Sequence, residues 1–373
     1  MKLRLLECNI RCLACRYELR LRDAVVQRVD RVRDVEIPRC HGSCPFPEIV
    51  GRERDCADCI GYEVVGGLLL CSDCGERYAI DHGIPRFYRP GVGAATRATA
   101  STASSYGYLW DLDEPPPSHF GKMERALSLS RPSGLILDAG CGAGTDLARL
   151  GGEKGVEIVG VELSDGGCRA SFEQSLALPT AHVIQADLRH LPFDDDSFDL
   201  VYSYGVLHHL PAPQDGVREL VRVLKPTARV AAYLYEDFSD RTLAWRWLLA
   251  VVNQLRRVTL RLSHPLLYRL CQMASPLTYA LFTIPFRMLR SVPGLSPVAS
   301  RLPYRHATGP FSLAGDLYDR FSAPIEWRYS EIEARGLFQD AGLRDVVTAK
   351  DRGWMVAGAK AAPACRGPVG ASS

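Results

Sequence analysis

The residues of this chain that could do chemistry fall into two sets: acids, glycines and histidines spaced along its middle, and cysteines crowded near its start. In Leu135-Ile136-Leu137-Asp138-Ala139-Gly140-Cys141-Gly142-Ala143-Gly144-Thr145, apolar residues run into an acid, then glycines at alternate positions, then a residue that starts helices. Glycine at 140, 142 and 144 lets the backbone turn sharply and removes each Cβ that would hold a flat or extended ligand away. Asp138, just before the turn, suits a cation better than a pyrophosphate. Glu162 follows 24 residues later, where a carboxylate can accept both hydroxyls of a ribose. Asp187, between Ala186 and Leu188, suits an exocyclic amino group, and His208-His209 supplies groups that titrate near neutrality.

These residues need elements to hold them. Val156 to Val161, Ala181 to Gln185, Phe198 to Ser203 and Ala228 to Tyr235 read as further strands, with an amphipathic helix from Asp215 to Leu224 that Lys225-Pro226 ends. A helix from Ser330 to Ala341 and strands at Arg344 to Thr348 and Trp354 to Ala357 complete an α/β, seven-stranded, mostly parallel and doubly wound sheet with helices on both faces. Ligands lie beyond the carboxyl ends of such strands, where Asp138, Glu162 and Asp187 all fall. The series resembles the class I S-adenosylmethionine-dependent methyltransferases, in the branch of the ubiquinone and menaquinone C-methyltransferases. It covers residues 130 to 236 and, more loosely, 316 to 360. The resemblance implies S-adenosylmethionine as cofactor, held by Asp138, Gly140, Gly142, Gly144, Glu162, Asp187, Leu188 and Ser203. His208, favoured slightly over His209, is a candidate base for an acceptor that must lose a proton; the alternatives are helix capping or cofactor contact.

Nine of the 13 cysteines lie at or before Cys74, and no export signal is visible, so metal is a better reading than disulfide. Residues 1–90 read as a zinc module. Cys12-x2-Cys15, Cys56-x2-Cys59 and Cys71-x2-Cys74 have metal-ligand spacing, and Cys40 and Cys44 form a looser pair. Ile10 to Cys15 with Glu18-Leu19, and Leu68 to Phe87, are similar to the two halves of the small zinc-ribbon activator subunit of RNA and protein methyltransferases. That similarity implies one Zn2+ on Cys12, Cys15, Cys71 and Cys74, with Cys40, Cys44, Cys56 and Cys59 in an insertion able to hold a second. Cys8-x3-Cys12-x2-Cys15 also has the spacing of radical enzymes that cleave S-adenosylmethionine, but the partial barrel those need does not follow.

Residues 91–105, rich in Gly, Ala, Ser and Thr, read as a flexible linker, and Tyr106-Gly107-Tyr108-Leu109-Trp110 opens the catalytic domain, 106–360. Those aromatics either cover the cofactor or pack as a helix on the sheet. The tail, 361–373, reads as disordered. With 373 residues, 47% apolar, and a net charge of +2, composition is that of a soluble two-domain protein of the cytoplasm.

Charge is nonetheless uneven. Residues 241–315 carry ten arginines and no lysine or acid, so the rest of the chain is net acidic. Their apolar residues recur at helical spacing, and the longest uncharged run, Leu270 to Phe286, has 17 residues broken by prolines, too short to span a bilayer comfortably. This insertion reads either as a surface-bound amphipathic helix pair, peripheral to the inner face of a membrane, or as a helical lid. Three function classes follow: methylation of a small apolar or lipid-linked acceptor, methylation of ribosomal or transfer RNA, and a non-catalytic zinc-binding adapter. The first is preferred, because the insertion lacks lysine and Ser203-Tyr204-Gly205-Val206 stands where an exocyclic-amino methylation motif would.

Overall fold

The N-terminal module has too few apolar residues to close a core alone, and it completes one by leaning on its neighbour. In the computed structural model, which describes residues 1–29, 61–88, 97–112, 118–299, 302 and 313–362, β1 (Leu19–Arg28), β2 (Tyr62–Cys71), β3 (Arg77–Asp81) and β4 (Ile84–Pro85) form an antiparallel sheet in that order. Cys40, Cys44, Cys56 and Cys59 lie outside the described residues, as do 91–96 of the expected linker and 363–373 of the expected tail. The module joins the next unit by backbone: Phe87 N–H donates to Gln185 O at 2.8 Å, and Arg11 N–H to Pro192 O at 2.8 Å. Leu3, Leu5, Ile10 and Val64 belong to the same buried cluster as Val159, Ile184 and Phe193. One core therefore serves both units.

The larger unit is built on β5 (Gly134–Ala139), β6 (Val156–Glu162), β7 (Ala181–Gln185), β8 (Phe198–Tyr204), β9 (Leu224–Leu234), β10 (Leu343–Lys350) and β11 (Trp354–Lys360). Their order is β10-β11-β9-β8-β5-β6-β7, with β11 antiparallel to both neighbours. Alternate residues feed opposite faces: Leu137, Val159, Ile184 and Val201 enter one core, and Ile136, Ile158, Val183 and Leu200 the other. This is why the strands read as unbroken apolar runs. β9 starts earlier than expected, at Leu224, and takes in Pro226 where its register with β8 shifts; a proline is tolerated at such an irregularity.

Helix α1 (Arg97–Trp110) corrects the linker reading for residues 97–105. α2 (Phe120–Ala126) and α3 (Thr145–Leu150) follow in sequence, then α4 (Asp165–Ser175), against which α1 packs backbone to backbone. A Cβ on Gly166 would lie 2.2 Å from Gly107 O, and Thr99, Thr102 and Ser105 are buried. The small residues that suggested a loop are what permits this close approach.

After α5 (Pro213–Val223) and β9, the insertion forms α6 (Leu243–Thr259) and α7 (His264–Thr278), then a wider π turn (Tyr279–Thr283) leading into α8 (Ile284–Arg290). The wide turn precedes Pro285, whose ring and missing N–H do not fit regular helical bonding. α7 packs on α9 (Ala314–Ser322), where Leu267 and Cys271 join Leu109, Leu317 and Tyr318 in a third small core. α10 (Glu331–Asp340) begins with a capping box between Ser330 and Glu333. Among the described residues no helix is long and apolar enough to cross a membrane.

A charged clasp seals the joint between the units. Arg4 donates to Glu157 through Nη2 at 2.7 Å and Nε at 3.1 Å, and His182 Nε2 lies 2.9 Å from the same carboxylate. Burial raises the pKa of Glu157, but His182 and Arg4 outweigh it and hold the carboxyl at about 2. Burial lowers the pKa of His182 more than Glu157 raises it, so Arg4 is the lasting positive partner. Because this carboxyl's pKa is depressed on folding, its stabilisation is full above the unfolded value and fades as pH falls toward the folded one. Glu157→Gln should therefore destabilise the protein near neutrality, and the gap to the parent should close from about pH 4.5 downward; urea denaturation across that range measures it.

Candidate active site

The glycine loop is held in a shape that other residues resist. Gly140, Gly142 and Gly144 have φ of +91°, +53° and +84°, and a Cβ on each would meet Val206 at 2.3 Å, Trp110 at 2.9 Å and Ser171 at 2.7 Å. Glu162, at the end of β6, ties this loop down: one carboxylate oxygen accepts from Gly142 N–H at 3.1 Å, the other from Ser164 N–H at 2.8 Å and Ser164 Oγ at 2.7 Å. Asp138 is buried at 3% exposure, and burial pushes its carboxyl well above the usual range; Asp146 and Glu162 push the same way, and the Tyr202 hydroxyl opposes them. Asp187 accepts from Arg189 Nε at 3.0 Å, and from the Arg189 backbone N–H at 2.9 Å. Glu162 and Asp187 retain acceptor capacity, since a carboxylate offers about four lone-pair sites.

A cavity of about 110 Å³, open to solvent, lies over the carboxyl ends of β5, β6, β7 and β8. Gly140, Glu162, Asp187 and Leu188 line one side; Tyr106, Trp110, Tyr204 and His209 line the other. α1 packs on α4 rather than standing over the sheet as expected, and its Tyr106 and Trp110 line the cavity.

Asp138, Gly142 and Gly144 belong to the loop and its strand without lining the cavity, and two further expected site residues are elsewhere. Ser203 is fully buried, and its hydroxyl donates to Ala139 O at 2.7 Å, pinning β8 to β5 instead of facing the cavity. His208 is fully buried outside the lining, with its ring against Tyr235 at 3.8 Å between centroids. The Tyr233 backbone is near its ring nitrogens without hydrogen-bond geometry, and burial drives its pKa well down. His209 is the member of the pair that reaches the cavity. Its Nδ1 lies 2.7 Å from Ile325 O and its Nε2 2.8 Å from Tyr106 Oη. Asp319, whose Oδ1 is 2.7 Å from the same Tyr106 oxygen, was not singled out from sequence; α9 brings it across from 213 residues away.

The structure also gathers Cys12, Cys15, Cys71 and Cys74. Cys15 Sγ lies 3.4 Å from Cys71 Sγ and 3.5 Å from Cys74 Sγ, and Cys12 Sγ is 3.6 Å from Cys74 Sγ. All four sulfur atoms lie within 4.8 Å of one another, a donor set that fits a tetrahedral metal. Cys8 is not part of it and turns toward Arg4 O, so the three-cysteine spacing of the radical enzymes is not assembled here.

With this geometry in view, residues 137–232 match the family model described as a methyltransferase domain. The seven-stranded sheet of the larger unit has the class I methyltransferase architecture, and the matched residues span β5 to β9. The chain is 38% identical over 96 residues to the demethylmenaquinone methyltransferase of Clavibacter sepedonicus, covering 26% of this chain and 38% of that protein. It is 35% identical over 98 residues to the chloroplastic tocopherol O-methyltransferase of Arabidopsis thaliana, covering 26% of this chain and 28% of that one. The match spans well under half the length of either relative. Among solved structures, a SAM-dependent methyltransferase from Aquifex aeolicus aligns with a TM-score of 0.39 and 17% identity, over 68% of this chain and 97% of that one.

The cradle that a Cβ would fill and the three carboxylates around it fit an adenosyl group carrying an amino acid and a positive sulfur. Gly140→Ala should combine a left-handed strain of about 1–2 kcal/mol with the Val206 clash. Gly205, at φ +78° with no atom within 4 Å of where a Cβ would stand, isolates the strain alone. Gly140→Ala should therefore exceed Gly205→Ala in denaturation free energy by about 1–3 kcal/mol; equal losses would mean the loop has room to give.

Proposed function

We propose that this protein transfers a methyl group from S-adenosylmethionine to a small apolar or lipid-linked acceptor. The reading rests most on one observation: Gly140 of the glycine cradle, Glu162 and Asp187 share a single cavity with Tyr106 and His209. When bound, the cofactor supplies a methyl on a positive sulfur. Asp138 accepts from its amino group, directly or through water, Glu162 from the ribose hydroxyls, and Asp187 from the adenine amino group. Gly140, Gly142 and Gly144 bring the backbone into contact, and Leu188 packs beside the base. The protein's main contribution is alignment, which can supply roughly 7–11 kcal/mol of such a barrier. His209, in the cavity wall, is the base for an acceptor that loses a proton.

Cys12, Cys15, Cys71 and Cys74 hold one Zn2+ in this reading. Four thiolates leave no open position, so the ion braces the module and takes no part in methyl transfer.

The insertion adds a lipid-facing surface. Leu243, Trp247, Met273, Leu277 and Met288 are each more than 60% exposed, and Arg257, Arg261, Arg269, Arg287 and Arg290 are exposed among them. An apolar face edged with arginine and free of acids suits anionic lipid. The named relatives support an apolar acceptor, since one acts on demethylmenaquinone and another on tocopherol.

Two experiments test the proposal. Purified protein is incubated with labelled cofactor and separate fractions of anionic lipid vesicles, quinone-like compounds, peptide and RNA. Label should enter the organic phase; label only in RNA would overturn the acceptor class. Separately, Asp138→Ala should abolish cofactor binding in calorimetry while metal content stays the same. Because burial raises the Asp138 carboxyl above the usual carboxylate range in the folded protein, binding of a cationic ligand should release a proton there, and affinity should rise with pH. Heats independent of the buffer's ionisation enthalpy would refute that coupling.

A further inference from the structure

The cavity wall contains more hydrogen-bond contacts than its obvious protons can fill. Four elements converge there: Tyr106 from α1, His209 from the turn after β8, Tyr235 just beyond β9, and Asp319 from α9. Tyr106 Oη is 2.8 Å from His209 Nε2 and 2.7 Å from Asp319 Oδ1, and the Tyr235 hydroxyl donates to Asp319 Oδ2 at 3.1 Å. The partner of His209 Nδ1, at 2.7 Å, is the Ile325 carbonyl, which can only accept, so Nδ1 carries a hydrogen. Filling the two contacts of Tyr106 then takes two protons on three atoms, and the phenol brings one. The second sits on His209 Nε2 or on Asp319. A buried hydroxyl lone pair held against an imidazole lone pair at such a distance is the costly alternative. His209 and Asp319 therefore share one proton across Tyr106.

We propose that Tyr106, Asp319 and His209 form a proton relay that deprotonates a hydroxyl-bearing acceptor through the Tyr106 oxygen, and that the contacts seen here are those of the proton-loaded form. This rests on the methyltransferase reading and narrows its acceptor to an alcohol or phenol. Before reaction the cluster is unloaded: neutral imidazole, neutral phenol and ionised Asp319. As the acceptor oxygen bonds to the methyl carbon, the carbon–sulfur bond breaks with its electron pair left on sulfur. The acceptor's proton passes to Tyr106 Oη, and the phenolic proton passes on to Asp319 or His209. Atoms and charge balance without another reagent: the sulfur loses its positive charge and the cluster gains it.

Charges that face this group come from every side. Glu326 and Arg256 act on His209 from the α9–α10 connection and from α6, Arg328 lies over the Tyr235 ring at 5.4 Å, and His208 adjoins His209. Burial, with Arg256, holds the His209 imidazole below its usual pKa, while Asp319, the Ile325 carbonyl and Glu326 work against that lowering. Asp319 is thus a positioning residue that keeps the shared proton within reach.

The test uses the full-length protein and two readouts. In 15N-histidine NMR without cofactor, Asp319→Asn should move the titration of one histidine to lower pH, and Tyr106→Phe should uncouple it from Asp319, so that adding Asp319→Asn to Tyr106→Phe gives a smaller shift than in the parent. Equal shifts in both backgrounds, or none, would overturn the relay even if methylation is intact. With an accepting substrate, kcat should rise with pH, the limb should move acidward in Asp319→Asn, and Tyr106→Phe should lose at least tenfold in kcat with cofactor affinity unchanged. Asp319→Glu should recover part of the parent profile. Cofactor binding without turnover of any fraction would count against the methyltransferase reading, while the NMR result decides the relay by itself. Preferred methylation of amines, with a pH profile that neither variant moves, would overturn the assignment of an alcohol or phenol.

Discussion

One buried carboxylate organises the centre of this protein. Glu162 takes a backbone N–H from the loop after β5 and both an N–H and a hydroxyl from the start of α4, so two adjacent strand ends are fixed by a single side chain. Hydrogen bonds to an ionised acceptor are about twice as strong as neutral ones, and here they are shielded from water. The left-handed glycine turn would otherwise have little reason to hold its shape. With it held, Gly140, Glu162 and Asp187 line one hollow, and Asp138 is buried just behind the loop.

Much of this arrangement was legible in the residues. Strands buried on both faces leave continuous apolar runs, and left-handed turns leave glycines, so β5 to β9 and their terminal acids could be read in order. What could not be read is set by direction. In the tight turn at Leu207–His209, successive side chains diverge by about 120°, so only one of two neighbouring histidines can reach the cavity. Ser203 ends a strand beside the site, but a hydroxyl there can turn equally to the next strand's carbonyl, and it does. The small residues ahead of Tyr106 were ambiguous for a similar reason, because the composition that loosens a loop also lets two helices touch. Asp319 was given no role of its own, because that role comes from a contact with Tyr106 across 213 residues.

The N-terminal module and the sheet have a different relation from that of beads on a string. They share one apolar cluster, backbone bonds and the Arg4–Glu157 pair. A metal gathered by Cys12, Cys15, Cys71 and Cys74 would accordingly stiffen more than its own loops, since β2 runs from that cluster toward the joint. The insertion is attached more lightly, through Leu267, Cys271 and Arg256, which donates to Ala323 O at 2.6 Å. Most of its apolar surface is left outward.

Helix α1 carries Trp110 over the glycine loop and Tyr106 beside His209, one turn apart on a single rigid rod. A rod cannot lift at one end of so short a span and stay seated at the other. Whatever moves Trp110 off the glycine loop therefore also parts Tyr106 from His209.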